Sequence, residues 1–303
     1  MKVAVSGATG LIGSALAQRL THDGHVVVPL VRRPARPSER VIAWDPARGT
    51  IDRAALEGLD AVVNLAGENV FGRWTPEKKR RIRESRVAGT RLVSEAIAGL
   101  ARPPRVFLAA SAVGYYGDQG SAEVSEQSPN GHDFLADVGR DWEGATAAAA
   151  RAAVRVVNLR FGVVLSATGG VLPKMLPAFR LGLGGPIGRG AQYFPWIAME
   201  DVLSAVLHIL ATESLSGPVN ITAPQSVTQL EFVRALGRVL RRPALLPVPP
   251  LALQLVFGRE AAAMMGSGQR VVPARLVSSG FHFRFGELEP ALRHLLAAPG
   301  GAP

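Results

Sequence analysis

The sequence of 303 residues contains no cysteine. A chain without thiols forms no disulfide, no Cys-ligated zinc or iron–sulfur site, and no cysteine nucleophile. It also lacks any apolar run near the ~20 residues that a membrane-spanning helix needs. The N-terminus enters a strand-like stretch at once, without the apolar region of a secretory leader. We therefore expect a cytoplasmic protein with no membrane partner.

Lysine is scarce, although the chain is strongly basic, with a formal net charge of +10. Of its 34 basic residues only four are lysines, namely Lys2, Lys78, Lys79 and Lys174. This arginine excess accompanies the Ala-, Gly- and Pro-rich composition of a chain encoded by GC-rich DNA, and only residues 78–86 are densely basic. Because aromatic residues are not interleaved with the basic ones, the sequence does not predict nucleic acid as a partner.

Hydrophobic residues make up 48% of the chain, which is enough for a large core, and the length allows about two domains. In the first half, helical patterns alternate with short strand-like runs at Lys2–Ser6, Val26–Val31, Ala61–Leu65, Val106–Ala110 and Val154–Leu159. Such alternation predicts an α/β fold, a doubly wound parallel sheet with helices on both faces. We expect this dinucleotide-binding domain at residues 1–165 and a smaller, α-rich substrate part at residues 166–303.

A glycine motif follows the first strand and opens the first helical pattern. It consists of Gly7, Ala8, Thr9, Gly10, Leu11, Ile12 and Gly13. In this position the first glycine permits a tight turn, the second lets the backbone approach a pyrophosphate, and the third lets the helix pack close to the strand. The phosphates then meet the free N–H groups at the positive end of the helix. We therefore predict that all seven residues bind a dinucleotide.

The second strand ends in Arg32 and Arg33, without a carboxylate. An Asp or Glu there would bind the ribose 2′-hydroxyl of NAD. Arg32 can instead bind a 2′-phosphate through two hydrogen bonds and stack on the adenine. The sequence therefore favours NADP(H) over NAD(H), and the alternative is that both arginines are simply solvated.

Two further stretches point to the same cleft. Leu65, Ala66 and Gly67 form a small-residue turn after a strand, and this turn can lie against the adenosine ribose and pyrophosphate. The alternative is an ordinary strand-end turn. Arg86, on a long predicted helix, can either reach into the cofactor cleft or remain on a solvated face.

With these motifs the chain resembles the extended, epimerase-like short-chain dehydrogenase/reductases. An ordered series of further motifs carries the resemblance to about residue 295, among them Gly67-Glu68-Asn69, Arg73-Trp74-Thr75, Ser111-Ala112-Val113-Gly114-Tyr115-Tyr116-Gly117, Trp142-Glu143, Arg160-Phe161-Gly162 and Phe194-Pro195-Trp196. Together they are similar to an atypical subfamily labelled nucleoside-diphosphate-sugar epimerase-like or cell-division-inhibitor-like. The resemblance implies NADP(H) binding at Arg32, Leu65, Ala66, Arg86 and Val164, and it leaves the substrate open.

A catalytic pair that the resemblance implies is missing from this sequence. Short-chain dehydrogenases use a Tyr to pass a proton to the substrate oxygen and a Lys four residues later to lower the pKa of that Tyr. Tyr115, Tyr116 and Tyr193 are the three tyrosines, and none has a Lys four residues on. Aligned on Glu143, the two places fall at Leu135 and Gly139, which cannot carry a proton.

Three hydroxyl groups remain as catalytic candidates, those of Ser111, Tyr115 and Tyr116. Ser111 ends a predicted strand where the superfamily keeps a Ser or Thr for the substrate oxygen, and the two tyrosines follow in a glycine-flanked loop. The alternatives are a turn residue for Ser111 and loop packing for the tyrosines. Asp133 and Asp137, close to the missing pair, are further candidates for an acid or base.

Two functional hypotheses follow. The first is an NADP(H)-binding, epimerase-like oxidoreductase that acts on a small molecule without the usual Tyr/Lys pair. The second is a catalytically weak or silent NADP(H)-binding regulator that acts through a protein partner. The six histidines do not cluster with carboxylates at ligand spacing, so no metal site is predicted. A homodimer is left open as the assembly.

Overall fold

The computed structural model describes residues 1–36 and 39–297. Its strands are β1 (Lys2–Ser6), β2 (Val26–Val31), β3 (Ile42–Asp45), β4 (Thr50–Ile51), β5 (Ala61–Asn64), β6 (Val106–Ala112), β7 (Glu123–Val124), β8 (Arg155–Phe161), β9 (Val163–Leu165), β10 (Trp196–Ala198), β11 (Gly217–Ile221) and β12 (Arg270–Val271). Its helices are α1 (Leu11–His22), α2 (Pro76–Ala98), α3 (Phe134–Gly144), α4 (Ala147–Arg151), α5 (Leu172–Arg180), α6 (Met199–Ala211), α7 (Gln229–Leu240), α8 (Pro250–Phe257), α9 (Arg259–Gly266), α10 (Ala274–Ser278) and α11 (Leu288–Ala297). Two 3₁₀ helices span Ala54–Leu56 and Val113–Tyr116.

Within these ranges the central sheet has eight strands, in the order β11-β8-β6-β5-β1-β2-β3-β4. Neighbouring strands run parallel, except that β3 and β4 are antiparallel. From β1 the chain first adds strands on the β2 side and later on the β5 side, so the strand order reverses beside β1. This arrangement confirms the predicted doubly wound parallel sheet. In such sheets ligands bind at the carboxyl ends of the strands, where the order reverses.

Each face of the sheet has its own apolar core, because successive side chains of a strand point to opposite faces. Val3 and Val5 of β1 pack with α1 and α6, whereas Ala4 packs with α2 on the other face. Burial on both faces explains why the central strands read as uninterrupted apolar runs. None of the helices within the described residues is long and apolar enough to cross a membrane.

A third core lies in the second half of the chain, where α5, α7 and α11 enclose side chains such as Leu176, Phe232 and Leu292. The division expected at residues 165 and 166 does not describe the whole sheet, however. Residues 199–221, which form α6 and β11, belong to the central sheet and its cover. β11 pairs with the edge of β8 that β6 leaves free, and α6 packs its apolar side chains against Val3 and Val5 of β1. The end of the predicted second part, residues 298–303, lies outside the described residues.

Candidate active site

The carboxyl ends of the central strands bring the predicted cofactor residues to one edge of the sheet. In register, Ser6 at the end of β1 is level with Leu30 on β2 and Asn64 on β5. Arg32 directly follows β2, two residues beyond Leu30, and Leu65 directly follows Asn64. The glycine turn, Arg32 and the Leu65 turn therefore lie at the same edge of the sheet.

The three glycines of the motif have different structural roles. Gly7 has a φ of +67°, and a Cβ there would lie 3.0 Å from the carbonyl group of Leu65. A Cβ at Gly13 would overlap the carbonyl oxygen of Gly7. At Gly10 a Cβ would meet only that same oxygen, at 3.2 Å, and otherwise open space. The first and third glycines are therefore required by the fold, whereas Gly10 leaves room on the outer side of the turn.

The start of α1 is prepared for an anion. Gly10 is its N-cap and supplies no side-chain hydrogen bond, and the first turn contains no acidic residue. Thr9 and Gly10 are exposed, whereas Ala8, Leu11 and Ile12 are half-buried against the core below. The uncapped N–H groups and the positive end of the helix dipole thus face outward, which suits a phosphate group.

A buried hydrogen-bond network fixes the two turns to each other. The Ser6 hydroxyl donates to the side-chain oxygen of Asn64 and accepts the backbone N–H groups of Leu65 and Ala66 at 3.1 and 3.2 Å. The Asn64 amide donates to the Thr90 hydroxyl of α2 at 2.8 Å. Sequence reasoning did not identify this network. Its available signal was a polar side chain, Asn64, at the end of an otherwise apolar strand.

The two arginines that follow β2 differ in their partners. Arg33 makes two hydrogen bonds to the carboxylate of Glu39, at 2.6 and 3.1 Å. Arg32 is exposed and has no hydrogen bond or ion pair to any described residue. Only Arg32 therefore presents its guanidinium to a ligand without first giving up a protein partner.

Arg86 of α2 lies against the turn after β5. Its Nη1 donates to the carbonyl oxygens of Glu68 and Ile82, at 2.9 and 3.1 Å. A Cβ at Gly67 would lie 3.5 Å from the Arg86 guanidinium carbon, so Gly67 lets the two groups approach closely. Burial lowers the pKa of Arg86 to about 10. The alternative of a solvated helix face therefore does not fit Arg86, whose Nε and Nη2 have no acceptor among the described residues.

The second half of the chain closes over the start of α1. Val164, in β9, is half-buried in the same core as Leu11. In the loop that follows β9, a Cβ at Gly169 would lie 2.8 Å from the Leu11 side chain, and one at Gly170 would lie 3.3 Å from the Val164 oxygen. The loop thus lies directly on Leu11, and Val164 reaches the predicted cofactor residues from the opposite side.

Ser111 is the residue before the last one of β6, is buried with 2% of its surface exposed, and is tied to a charged pair. Its hydroxyl donates to Glu143 Oε1 of α3 at 2.7 Å. The same carboxylate accepts two hydrogen bonds from the Arg160 guanidinium of β8, at 2.7 and 2.8 Å. Burial alone would lower the pKa of Arg160, but the hydrogen bonds and charge of Glu143 outweigh it, so the pKa is raised. The Arg160 guanidinium therefore keeps its charge although it is buried.

Arg160 and Glu143 were not identified as site residues from the sequence. A signal was present, since an arginine inside the apolar β8 run must be buried and must have a partner there. The side chain of Arg160 is only 3% exposed.

Tyr116 lies inside the protein and has no exposed surface. Its hydroxyl accepts from Arg160 Nη1 at 2.9 Å and donates to the Asn220 side-chain oxygen at 2.7 Å. Burial raises the pKa of Tyr116 to about 12. The catalytic role predicted for Tyr116 therefore finds no support, because the hydroxyl is fully engaged and has no access to a substrate. The alternative of packing fits this residue.

Tyr115 is placed differently from its neighbour. It is half-buried, and its hydroxyl makes no hydrogen bond with the described residues. The Arg160 guanidinium carbon lies 3.6 Å from the centroid of the Tyr115 ring, over its face. Of the three predicted hydroxyls, Tyr115 is thus the one that combines a free phenolic group with a neighbouring cation.

The two places of the missing Tyr/Lys pair are occupied by tight packing. A Cβ at Gly139 would lie 3.1 Å from the Cα of Tyr115 and 3.3 Å from its Cβ. One turn earlier, the Leu135 side chain lies 3.3 Å from where a Cβ of Gly114 would stand. The 3₁₀ helix Val113–Tyr116 therefore lies directly on α3, and Tyr115 covers the position at which a lysine side chain would begin.

The two aspartates near this position have structural partners. Asp133 is the N-cap of α3, and its Oδ1 accepts the N–H of Ala136 at 2.9 Å. Asp137 lies in the first turn of α3 and forms a 2.9 Å ion pair with Arg140. These partners favour helix capping over acid or base chemistry for both residues. Within residues 1–36 and 39–297, no group of three or more His, Asp or Glu side chains could hold a metal ion.

Comparison with known families gives two matches along the chain. Residues 3–222 match the NAD dependent epimerase/dehydratase family. Residues 248–295 match a domain of unknown function, DUF1731. The first match spans the sheet, α1 to α6 and all the site residues described above.

Full-length relatives and a solved structure are similar over nearly the whole chain. The epimerase family protein ML0860 of Mycobacterium leprae is 42% identical over 299 residues, which cover 98% of this chain and 96% of that protein. The human epimerase family protein SDR39U1 is 40% identical over 307 residues, covering 98% and 100%. A crystal structure of human SDR39U1 (isoform 2) with NADPH has a TM-score of 0.88 and 38% identity, covering 97% of this chain and 99% of that one.

Proposed function

The chain belongs to the NAD dependent epimerase/dehydratase family, and we propose that it is an NADP(H)-dependent oxidoreductase. In this proposal the dinucleotide lies across the carboxyl ends of β1, β2 and β5. The substrate is a small molecule with a carbonyl or hydroxyl group, held above Ser111 and Tyr115. Bound NADPH supplies the hydride.

The cofactor part of the proposal depends on polar groups whose hydrogen-bonding capacity is not used up by the described residues. The uncapped start of α1 and the open side of Gly10 fit a pyrophosphate. The unpaired guanidinium of Arg32 fits the 2′-phosphate that distinguishes NADPH from NADH. Arg86, whose Nε and Nη2 carry three N–H groups without an acceptor among the described residues, fits the ribose or phosphate beside the Gly67 turn. The NADPH in the human relative's crystal structure supports the same choice.

The catalytic part depends on which hydroxyl can move a proton. The Ser111 hydroxyl donates to Glu143, so its oxygen offers lone pairs and suits accepting a hydrogen bond from a substrate hydroxyl. Reduction of a carbonyl needs a donor instead, and Tyr116 is buried and engaged. The observation that carries the proposal is that Tyr115 alone of these hydroxyls is free to give its proton. Tyr115 would thus protonate the substrate oxygen, and Ser111 would accept a hydrogen bond from a neighbouring hydroxyl of the substrate.

The cofactor preference can be tested at two adjacent positions. Arg32→Ala should weaken NADPH binding roughly ten- to a hundred-fold, since a charge-assisted hydrogen bond to phosphate contributes about 1.5–3 kcal/mol. NADH binding should change little. Arg33→Ala is the matched control, because Arg33 is already paired with Glu39. Calorimetry with both dinucleotides measures the effect, and equal affinities of the unsubstituted protein for the two would refute the preference.

The chemistry can be tested by NADPH oxidation across a panel of aldehydes, ketones and keto sugars. Loss of a positioned proton donor lowers the rate about 10²–10⁴-fold, so we expect that loss in Tyr115→Phe and a smaller one in Ser111→Ala. Tyr116→Phe should lower the rate less than Tyr115→Phe does, because the buried Tyr116 hydroxyl does not reach the substrate. Fast turnover in all three variants would contradict these roles. Tight NADPH binding without turnover of any carbonyl would favour the alternative function, a silent regulator, for which the absence of the Tyr/Lys pair is the supporting observation.

A further inference from the structure

We propose that Arg160 takes the place of the lysine in the missing Tyr/Lys pair, as a positioning residue that acts through Tyr115. This inference rests on the proposed reductase function. In the pair that is missing here, the cation lies on the same helix as the tyrosine. In this chain the tyrosine comes from the 3₁₀ helix after β6, and the cation comes from β8 on the adjacent side of the sheet.

The packing of α3 explains why the cation has a different origin. Gly139 occupies the lysine place, and the Tyr115 backbone lies 3.1 Å from where its Cβ would be. A side chain at residue 139 would therefore displace Tyr115. A cation for Tyr115 must come from another element, and β8 provides it because Ser111 and Arg160 are paired in register.

Arg160 is held in one orientation by three hydrogen bonds. Two run to the Glu143 carboxylate at 2.7 and 2.8 Å, and one runs to the Tyr116 oxygen at 2.9 Å. Tyr116 is itself held by Asn220. All these contacts lie in the plane of the guanidinium, so its flat face remains for the Tyr115 ring at 3.6 Å. The buried Tyr116 thus fixes the cation, and the cation in turn fixes Tyr115.

The position of the charge suits the proton transfer. In the reduction, hydride from NADPH forms a C–H bond at the carbonyl carbon, and NADPH becomes NADP⁺. The O–H bond of Tyr115 breaks as its proton forms the O–H bond of the product alcohol. Tyr115 is left as a phenolate, which recovers a proton from water. A cation against the ring face attracts this negative charge, which is spread over the ring.

The burial of Arg160 also points to more than a structural role. A buried ion pair gains little over well-packed apolar side chains of similar volume, because both charges lose their hydration. Arg155, on the same strand, has the structural role instead: it caps carbonyl groups at the end of α6, including those of Ile209 and Leu215. Arg155 is therefore a matched control for losing an arginine from β8.

The test compares Arg160→Met, Arg160→Lys and Arg155→Met, with Arg160→Met also made together with Tyr115→Phe. Because Arg160→Met leaves the Glu143 carboxylate without its cationic partner, it is also made together with Glu143→Gln. For each variant we would measure NADPH affinity by calorimetry, and kcat and KM with the best carbonyl of the panel. We would also record NMR spectra of the cofactor-free protein labelled with ¹³C-tyrosine. The ring signals of its three tyrosines are assigned with the three Tyr→Phe variants.

We expect Arg160→Met to lower kcat at least tenfold in either background of Glu143, with KM and NADPH affinity within about threefold. Arg160→Lys should retain an intermediate kcat, since a lysine keeps the positive charge but cannot make the two parallel hydrogen bonds to the Glu143 carboxylate. The Tyr115 ring signals should move in Arg160→Met and not in Arg155→Met. With Tyr115 already replaced by Phe, Arg160→Met should lower kcat no further, since two residues that act as one unit are not additive.

Two outcomes would overturn the inference while the proposed function stands. One is an unchanged kcat in Arg160→Met. The other is an equal loss of kcat whether Tyr115 or its Phe replacement is present, which would mean that Arg160 supports the fold and not Tyr115. Absence of NADPH binding, or of turnover, in the unsubstituted protein would overturn the proposed function and this inference together.

Discussion

At the residue scale, the three motif glycines separate the requirements of the fold from those of a ligand. Gly13 and Gly7 are in contact with backbone on the inside of the turn, whereas the free space at Gly10 lies on the outside. The backbone at Gly10, with φ −80° and ψ 173°, is extended and open to any residue. Only a ligand in that space would require glycine at residue 10.

We therefore predict that Gly10→Val abolishes NADPH binding and leaves the protein folded, with a loss of stability of about 1 kcal/mol or less for the changed N-cap. The branched side chain would occupy the space proposed for the pyrophosphate. Calorimetry and thermal unfolding measure the two effects. Gly266→Val is the control, because a Cβ at Gly266 meets nothing within 4 Å and the residue is far along the chain from the turn. Normal NADPH binding by Gly10→Val would show that the motif is only a turn.

Which site residues can be predicted from the sequence depends on how far their signal extends along the chain. The glycine motif and Arg32 have local signals, a fixed spacing and the end of a strand, and the structure places both at the carboxyl edge of the sheet. The sequence shows that Arg160 needs a buried partner but not that this partner is Glu143, because the two residues lie 17 positions apart and meet only in the folded chain. Tyr115 and Tyr116 are adjacent and similar in sequence, and only the three-dimensional packing separates the free hydroxyl from the buried one.

At the scale of elements, the contact between α3 and the 3₁₀ helix Val113–Tyr116 is the packing that excludes the usual catalytic pair. The two elements approach closely at Gly139, where a Cβ would lie 3.1 Å from the Tyr115 Cα. Gly144, in the same helix, is exposed, and a Cβ there would meet nothing within 4 Å. Both glycines thus belong to α3, but only Gly139 is packed against another element.

We predict that Gly139→Ala destabilises the protein by about 1–3 kcal/mol, because overpacking outweighs the gain in helix propensity. Gly144→Ala should stabilise it by about 0.5–1 kcal/mol, since only the propensity term acts there. Urea unfolding, followed by circular dichroism, compares the two free energies of unfolding. A Gly139→Ala variant as stable as Gly144→Ala would contradict the close packing of α3 on Tyr115.

The elements with strong local signals agree with the sequence prediction, and those without them do not. α1 spans Leu11–His22, where apolar residues repeat at helical spacing, and α2 begins at Pro76 with the Thr75 hydroxyl as its cap. The pattern over Leu251–Met265 favours one continuous helix, but the structure divides it into α8 and α9 at Gly258, where φ is +82°. The short strands β3 and β4 were not predicted, because two to four residues show no periodicity and are specified by pairing with β2.

At the scale of the whole molecule, the two parts expected from the sequence share one sheet. β11 pairs with β8 along five residues, and α6 packs in the core that also holds Leu16 of α1. The loop with Gly169 lies on Leu11, so the second half also contacts the proposed cofactor site. The match to one family over residues 3–222 crosses the expected division as well, and it confirms the family resemblance drawn from the ordered motifs. These shared contacts favour unfolding as one unit.

We therefore predict a single thermal unfolding transition that NADPH moves as a whole. A ligand that binds only the folded state at a hundred times its dissociation constant adds ~2.7 kcal/mol of stability, which corresponds to about 5 °C in Tm for a chain of this size. NADH at the same concentration should give a much smaller shift, because Arg32 has no 2′-phosphate to bind. Gly10→Val is the control, since it should show a similar Tm without NADPH and no shift with it. Calorimetric scans would contradict the prediction if two transitions appeared and NADPH moved only the first, since residues 1–165 would then unfold separately from the rest despite the strand and helix that return to their sheet.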